Sequence, residues 1–515
     1  MRTSSLVCLA LASAIIRVGP ASADTLLTLD GAVERGGLDH VRVPFVVPPG
    51  VAELYIEHAD DSDVDILDWG LDDPAGFRGW GGGNLEPVVL NERAASRSYR
   101  VGPLTPGTWS VLIGKAKVTT ATVGYTLRVT LRDAITLMPQ PERRPYAPVP
   151  ALSRGPRWYA GDLHVHSRES GDAQPSLDTI ATFAREVGLD FVALSDHNTT
   201  AQLDFIGDAQ ARHPALLLMP SVEFTTYAGH ANGLGATAWV DHKLGQPGVT
   251  AASALAAFRA QGALVSINHP LFDLGEACIG CAWRHPLEPG EVDAVELATA
   301  GAGTLFIERT LAWWDTLCAA GAHVAAVGGS DDHTAGERLG PFGTPIGTPT
   351  TYVYAEELSV AALLDGIRRG RTVVKLLGPS DPMVELHAEP PPDGDTVVAD
   401  RATLRARVTA GAGLSARWVV DGVAQREEPL TSDDTTLTRE FTAPARVRVE
   451  VLRAGLPTTV TSHLWLRAPE GSATEGCGCA SIAAPATNLP LLLVMFMMCR
   501  LARRFRRGGS LGSHE

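Results

Sequence analysis

Two histidines one residue apart, in Gly161-Asp162-Leu163-His164-Val165-His166, are the first residues whose types and spacing suggest chemistry. Side chains alternate along an extended strand, so both imidazoles fall on one face with Val165 on the other. Two imidazoles at a strand end make half of a metal site. Further groups of the right kind follow. Asp172 lies in the next loop, and Asp196-His197 follows Phe191-Val192-Ala193-Leu194. Glu223 comes after Leu216-Leu217-Leu218-Met219, and His230 sits in Gly229-His230-Ala231-Asn232-Gly233. His269 ends the run Ala263 to Asn268, while Asp331 and His333 end the run Val324 to Ser330. Each run is short, apolar and bounded by Gly or polar residues, as a strand buried on both faces should be. Catalytic groups gathered at strand C-termini are what a parallel α/β barrel produces.

The elements that would position these groups alternate strand and helix from Trp158 onward. Ser176 caps a helix through Val187, ended by Gly188; Ala252–Ala260 before Gly262, Thr304–Ala320 ended by Gly321 and Val360–Arg369 ended by Gly370 are three more. With strands at Thr351–Tyr354 and Thr372–Leu377, about seven βα units fit, a distorted (β/α)7 barrel over 158–380. On either side the rhythm is strand and turn. Residues 24–138 predict a β-sandwich or jelly roll, with strands at Val41–Val47, Glu53–Ile56, Ser98–Val101, Thr108–Ile113 and Tyr125–Leu131. Residues 139–157, with six prolines from Pro139 to Pro156, read as a linker. Residues 381–468 predict an immunoglobulin-like sandwich, with strands at Val384–His387, Leu404–Val408, Ala416–Val420, Thr436–Phe441 and Val447–Leu452. The fold class is therefore α/β at the centre with all-β flanks.

Neutral imidazoles and carboxylates suit Zn²⁺, Mn²⁺ or Fe²⁺, and no cysteine in the set narrows the choice. A carboxylate shared between two cations offsets their repulsion, and the pair lowers the pKa of a bound water. Asp196 is placed behind the ligands, orienting an imidazole. Arg168 either clamps an anionic substrate or is a solvated loop residue. Glu296 faces either the site or a helix, and Trp313-Trp314 packs in a core. The seven aspartates between Asp60 and Asp73 either bind calcium or are simply solvated. Cys278-x-x-Cys281 is a short disulfide, or holds a separate zinc with His285.

The 515 residues carry a formal net charge of −15, which argues against a nucleic-acid partner. Residues 1–23 read as a secretory signal peptide: Met1-Arg2, the apolar Leu6–Ile16, then Ala21-Ser22-Ala23 as a cleavage site. At 469–515, Gly476-Cys477-Gly478-Cys479 precedes the apolar Leu489–Cys499 and a cluster of five arginines from Arg500 to Arg507. This arrangement resembles the C-terminal sorting signal of myxobacterial surface proteins. The resemblance implies processing near Cys477 and display at the cell surface or outer membrane, or in the periplasm, with membrane contact through the tail before processing; a plain tail anchor is the alternative.

The ordered set His164-x-His166, Asp172, Asp196-His197, Glu223, His230, His269 and Asp331-x-His333 resembles the PHP (polymerase and histidinol phosphatase) metallohydrolases, from Trp158 to about Gly378. The Gly-His-Ala-Asn-Gly-Leu-Gly segment after Glu223 and the closing Gly370-Arg371 strand are most similar to the CehA/McbA branch. The resemblance implies two or three divalent metals. His164, His166, Glu223 and Asp331 would hold one; Glu223, His230 and His269 a second; Asp172, His197 and His333 a third, with Ser170 the rival to Asp172. It implies a hydrolase in which metal-bound hydroxide attacks a phosphoester of a small molecule or surface polymer. The leaving group would be protonated by His269, His333 or water. A carbamate or carboxylic-ester hydrolase on the same metals is the alternative, as is a non-catalytic surface binding protein.

Overall fold

The runs that end in histidine and carboxylate residues are strands, and two all-β modules hold them from either side. The structure, a computed structural model, describes residues 24–275, 278–299, 303–339 and 343–470. Residues 1–23, expected to be a signal peptide, and the tail from 471 lie outside the described residues. Among the described residues, no helix is long and apolar enough to cross a membrane.

The N-terminal module has eight strands: β1 (Thr25–Glu34), β2 (His40–Val47), β3 (Glu53–Asp60), β4 (Ile66–Asp73), β5 (Gly76–Gly82), β6 (Val88–Asn91), β7 (Gly107–Lys117) and β8 (Thr122–Arg132). They pair antiparallel in two four-stranded sheets, ordered β1-β8-β3-β6 and β2-β7-β4-β5. Inward residues such as Leu54, Ile56, Trp69, Trp109, Ile113 and Leu127 make one core between the sheets. The strand expected at Ser98–Val101 is a loop instead, with Ser98 at φ 71°. Four of the seven aspartates of Asp60–Asp73 meet these protein partners. Asp65 accepts from Thr119 and Thr120, Asp72 pairs with Arg42, Asp73 with Arg78, and Asp61 accepts from Gly124 N–H.

In the central region β9 (Arg154–Val165), β10 (Phe191–Leu194) and β11 (Leu217–Pro220) lie parallel, joined by α1 (Leu177–Glu186) and α2 (Leu203–Arg212). Ser176 Oγ accepts from Thr179 N–H to start α1. Then β12 (Glu223–Thr226), β13 (Gly229–Leu234) and β14 (Leu264–Ile267) run antiparallel, with α3 (Ala251–Ala260) between the last two. Strands β15 (Ala294–Ala298) and β16 (Ala325–Gly328) continue that sheet in parallel, with α4 (Gly303–Ala319) between them. Finally β17 (Thr350–Glu357) pairs antiparallel with β9 and with β18 (Thr372–Lys375), around α5 (Val360–Arg368).

This departs from seven repeated βα units. Only Tyr227 and Ala228 separate β12 from β13, so the chain makes a hairpin there; a parallel crossover needs a dozen residues or more. The ladders form two sheets, β11-β10-β9-β17-β18 and β12-β13-β14-β15-β16. They abut through single bridges, Val165 with Asp332 and His197 with Glu223, both beside the metal-site residues.

The C-terminal module stacks the three-stranded sheet of Met383–Glu389, Arg401–Thr409 and Asp434–Thr442 over a second sheet. That second sheet is continuous with the central region, because β18 pairs antiparallel with Leu456–Thr461. The module also meets α4 through a buried ion cluster. Asp315 accepts from Arg446 Nη2 at 3.0 Å and Arg448 Nη1 at 2.7 Å, with His463 Nε2 at 3.4 Å.

Burial alone would raise the Asp315 carboxyl, but the His463 hydrogen bond and the Arg448 guanidinium hold it at about 2, below its ordinary value. Its contribution to stability is therefore present above the ordinary aspartate pKa of about 4 and is lost as pH falls towards about 2. Asp315→Ala, which leaves two buried guanidinium groups short of a partner, is expected to cost about 3 kcal/mol near neutral pH in urea unfolding. The difference from wild type should shrink as both proteins are taken below about pH 4.

Candidate metal centre

Glu223 is the first residue of β12, fully buried, and its carboxylate is the point on which the imidazoles converge. Oε1 lies 3.3 Å from His164 Nε2, 3.3 Å from His230 Nδ1 and 3.5 Å from His269 Nε2. Oε2 lies 2.5 Å from His197 Nδ1 and 3.8 Å from His166 Nε2. Asp331 Oδ1 reaches His166 Nε2 at 2.9 Å and His164 Nε2 at 3.3 Å. On the outer side, Asp172 Oδ2 is 3.4 Å from His197 Nε2 and 3.6 Å from His333 Nε2, and those two nitrogens are 3.3 Å apart. The structure thus brings together His164, His166, Asp172, His197, Glu223, His230, His269, Asp331 and His333 from six separate chain segments.

These atoms aim at common points rather than at one another. The Nε2 atoms of His164, His166 and His230 and the Oδ1 of Asp331 are buried and make no hydrogen bond, despite near neighbours. Orphaned buried polar atoms are costly. Divalent cations between them would satisfy all four. Ligand atoms of His166, His197 and His333 lie within 4.8 Å of one another, as do those of His164, His166 and Asp331. Imidazole nitrogens with carboxylate oxygens form a donor set that fits Zn²⁺, Mn²⁺ or Fe²⁺. Burial and the neighbouring His333 and His197 hold His166 down to about 3, and burial lowers His230. Against the same burial, the neighbouring carboxylates raise His164, His197, His269 and His333, and each would shed that proton to bind a cation.

A second set of side chains fixes the rings, and of these the sequence offers only Glu296 and Ser170 as candidates. Glu296, at the end of β15, faces the site: Oε1 accepts from His164 Nδ1 at 3.1 Å and Oε2 from His269 N–H at 2.9 Å. His269 Nδ1 donates to the Cys281 carbonyl and His333 Nδ1 to the Asp331 carbonyl, which directs both Nε2 lone pairs inward. Ser170 Oγ meets His166 Nδ1 at 2.7 Å and accepts from His197 N–H, so it orients two rings while Asp172 takes the outer position. Asn268 Nδ2 donates to Glu223 Oε1 and to Asn232 Oδ1, and Asn232 in turn donates to Leu163 O. Asp162, fully buried, accepts from the backbone N–H of His164, Ser330 and Gly347, tying two ligand-bearing segments to the segment that leads into β17.

Two expectations are corrected. Asp196 orients no imidazole; its carboxylate accepts from Ser167 N–H at 2.7 Å and Ser167 Oγ at 2.8 Å, bracing the loop after β9. Arg168 turns away from the candidate ligands, its side chain 60% exposed, and lines a separate cavity with Arg97, Arg143 and Asp208. The sequence alternatives at the CxxC are also resolved in the structure. Cys278 and Cys281 form a disulfide, and His285 Nε2 pairs with Thr226 Oγ1 instead.

The cavity over the metal residues encloses about 270 Å³. One wall is the N-terminal module, through Asp68, Trp80 and Gly81–Gly83, and another is the disulfide loop. The N-terminal module is clamped to the ligand loops. Ser98 N–H donates to Glu169 Oε2, Thr199 Oγ1 donates to Ser98 O, and Arg97 Nη1 donates to Ala173 O. Gly171 adopts φ 91°, and a Cβ there would strike the Gly81 carbonyl, so only glycine lets the loop before Asp172 approach so closely. Arg143, from the Pro-rich segment, is buried between the modules and reaches Ala95 O and Asp204 Oδ2.

No protein-family model and no curated protein matches the chain. Among solved structures, it is similar to a two-domain protein from Bacteroides vulgatus containing a predicted PHP-like metal-dependent phosphoesterase. That match has 18% identity and a TM-score of 0.36, over 62% of this chain and 99% of that one. It is also similar to an amidohydrolase from Chromobacterium violaceum with bound sulfate and no metal, at 17% identity and a TM-score of 0.24, over 36% of this chain and 93% of that one. Likenesses this distant leave the functional reading to the side chains.

Glu296→Gln keeps the shape of the side chain but removes the anion that holds His164 Nδ1. Metal affinity should fall about 10- to 100-fold, read by competition with a chromophoric chelator, with little change in thermal stability of the metal-free protein.

Proposed function

We propose that the chain is an exported, surface-displayed metal-dependent hydrolase of the PHP type, close to the CehA/McbA branch, that cleaves a phosphoester. The observation that carries the reading is the set of buried, unpartnered nitrogen and oxygen atoms of His164, His166, His230 and Asp331 gathered around Glu223. His164, His166, Glu223 and Asp331 would hold one cation, Glu223, His230 and His269 a second, and Asp172, His197 and His333 a third. Cations bound there would polarise a phosphoryl oxygen and supply a nucleophile at neutral pH.

The chain's own residues do the rest. Asn268 holds Glu223 in place, and against the pull of burial the His164 and His197 imidazoles keep its carboxyl well below the usual range. The Nδ1 atoms of His164, His269 and His333 face Glu296, Cys281 O and Asp331 O, so with cations bound their Nε2 atoms would serve as ligands and the leaving group would need an acid from elsewhere. The wall formed by Trp80 and the disulfide loop limits water and admits a small ester or the end of a polymer.

The test uses residues 24–468 with bound metal measured, and p-nitrophenyl phosphate, its diester, and naphthyl esters and carbamates as substrates. Turnover of a phosphoester should be lost on chelation and restored by Zn²⁺ or Mn²⁺. Glu223→Gln should lose metal and at least about 10³-fold in rate. Hydrolysis confined to carbamates or carboxylic esters would reassign the reaction, and full activity of Glu223→Gln would overturn the site.

A further inference from the structure

One titratable side chain lining the metal cavity belongs to none of the ligand groups, and it comes from the N-terminal sandwich. Asp68 sits on β4 and shares the cavity with Asp172, His197 and His333. Its Oδ2 accepts from Tyr227 Oη at 2.7 Å, across the boundary between modules, since Tyr227 forms the turn of the β12–β13 hairpin. The close approach is built in. A Cβ on Gly114 of β7 would collide with the Tyr227 hydroxyl and the Trp80 ring, so the sheet is bare where the hairpin leans on it. Asp68 Oδ1 faces Gly83, whose missing side chain leaves the cavity open beside the carboxyl.

Resting on the reading of the centre as an ester hydrolase, we propose that Asp68 is the general acid that protonates the departing oxygen. As the bond from phosphorus to the leaving oxygen breaks, the electron pair goes to that oxygen, which takes the proton of the Asp68 carboxyl and leaves as an alcohol. Water supplies the new oxygen on phosphorus and gives its proton to solvent, and solvent reprotonates the carboxylate that Tyr227 Oη holds. The balance is ester plus water to alcohol plus phosphate.

The geometry answers a need the ligand set cannot meet. His269 and His333 have one nitrogen committed to a backbone carbonyl and the other turned to the cations. Among the described cavity residues, Asp68 alone is titratable and free of that duty. Its environment suits the role. Burial raises the carboxyl to about 6, with Tyr227 and His197 opposing the rise and Asp172 adding to it, the direction a general acid needs. The Tyr227 phenol, pushed well above its usual range by burial and by Asp68, stays a donor throughout.

The test is leaving-group dependence in the full exported chain. Wild type and Asp68→Asn are compared on p-nitrophenyl phosphate, whose leaving anion is stable unprotonated, and on an alkyl phosphate, whose leaving alkoxide is not. The same aryl and alkyl pair is run as carboxylic esters and carbamates. Asp68→Asn should lose about 100-fold or more on the alkyl ester and only a few-fold on the aryl ester, with unchanged bound metal. Equal losses on both, or none on either, would overturn the proposal while leaving the hydrolase reading intact. Wild-type protein inert towards every ester would end both. Tyr227→Phe, which keeps the acid but frees it, should show the same selectivity at smaller size, and it decides the matter if Asp68→Asn does not fold.

Discussion

A carboxylate with no access to water is the constraint on which the rest of this molecule depends. Glu223 is fully buried, and an isolated buried anion is expensive by far more than a folded domain can spare. Five imidazoles within 3.8 Å and the Asn268 amide surround it. Burial holds two of them, His166 and His230, below the ordinary imidazole range, so part of the compensation has to come from elsewhere. The centre is thus organised as an anionic hollow for cations, and the surrounding architecture serves to keep its walls from relaxing inward.

That rigidity is spread over long sequence distances. Asp162 bonds residues up to 185 positions away, and Glu296 joins His164 to the backbone of His269. Two half-sheets meet here through isolated bridges rather than a continuous ladder, so side-chain networks take over the alignment that backbone pairing would otherwise give. The N-terminal sandwich adds to this by gripping the loops of Asp172 and His197 through Ser98 and Arg97. A module that reads in sequence as an independent appendage is part of the site's wall.

The legible part of this protein was what local chemistry writes. Strand-end histidines, the Ser176 cap and the helix-ending glycines mark elements that the structure contains. Helix α2 was not legible, because Gln202 makes no side-chain cap and Gly207 interrupts the pattern. The hairpin after Glu223 was not either: its short turn looks like any polar break until the antiparallel pairing is seen. Asn232, Asn268, Asp162 and Ser170 act only through partners distant in the chain or on other elements, which no local pattern records. Asn232 and Asn268 did carry one signal, since each lies close to a proposed histidine ligand. Asp68 was hidden among seven aspartates, and only its neighbour across the module boundary sets it apart. Arg168 shows the converse. It lies next to the ligands in sequence, yet the loop turns its side chain outward.

The pairing of β18 with Leu456–Thr461 has a bearing on how this chain tolerates being cut. Without those terminal strands, β18 would be an open border bearing Val373 and Val374, an invitation to neighbouring copies. The last module therefore works as a selvage, sealing the weave of the central sheet. A fragment trimmed near residue 380 would expose that border to self-association.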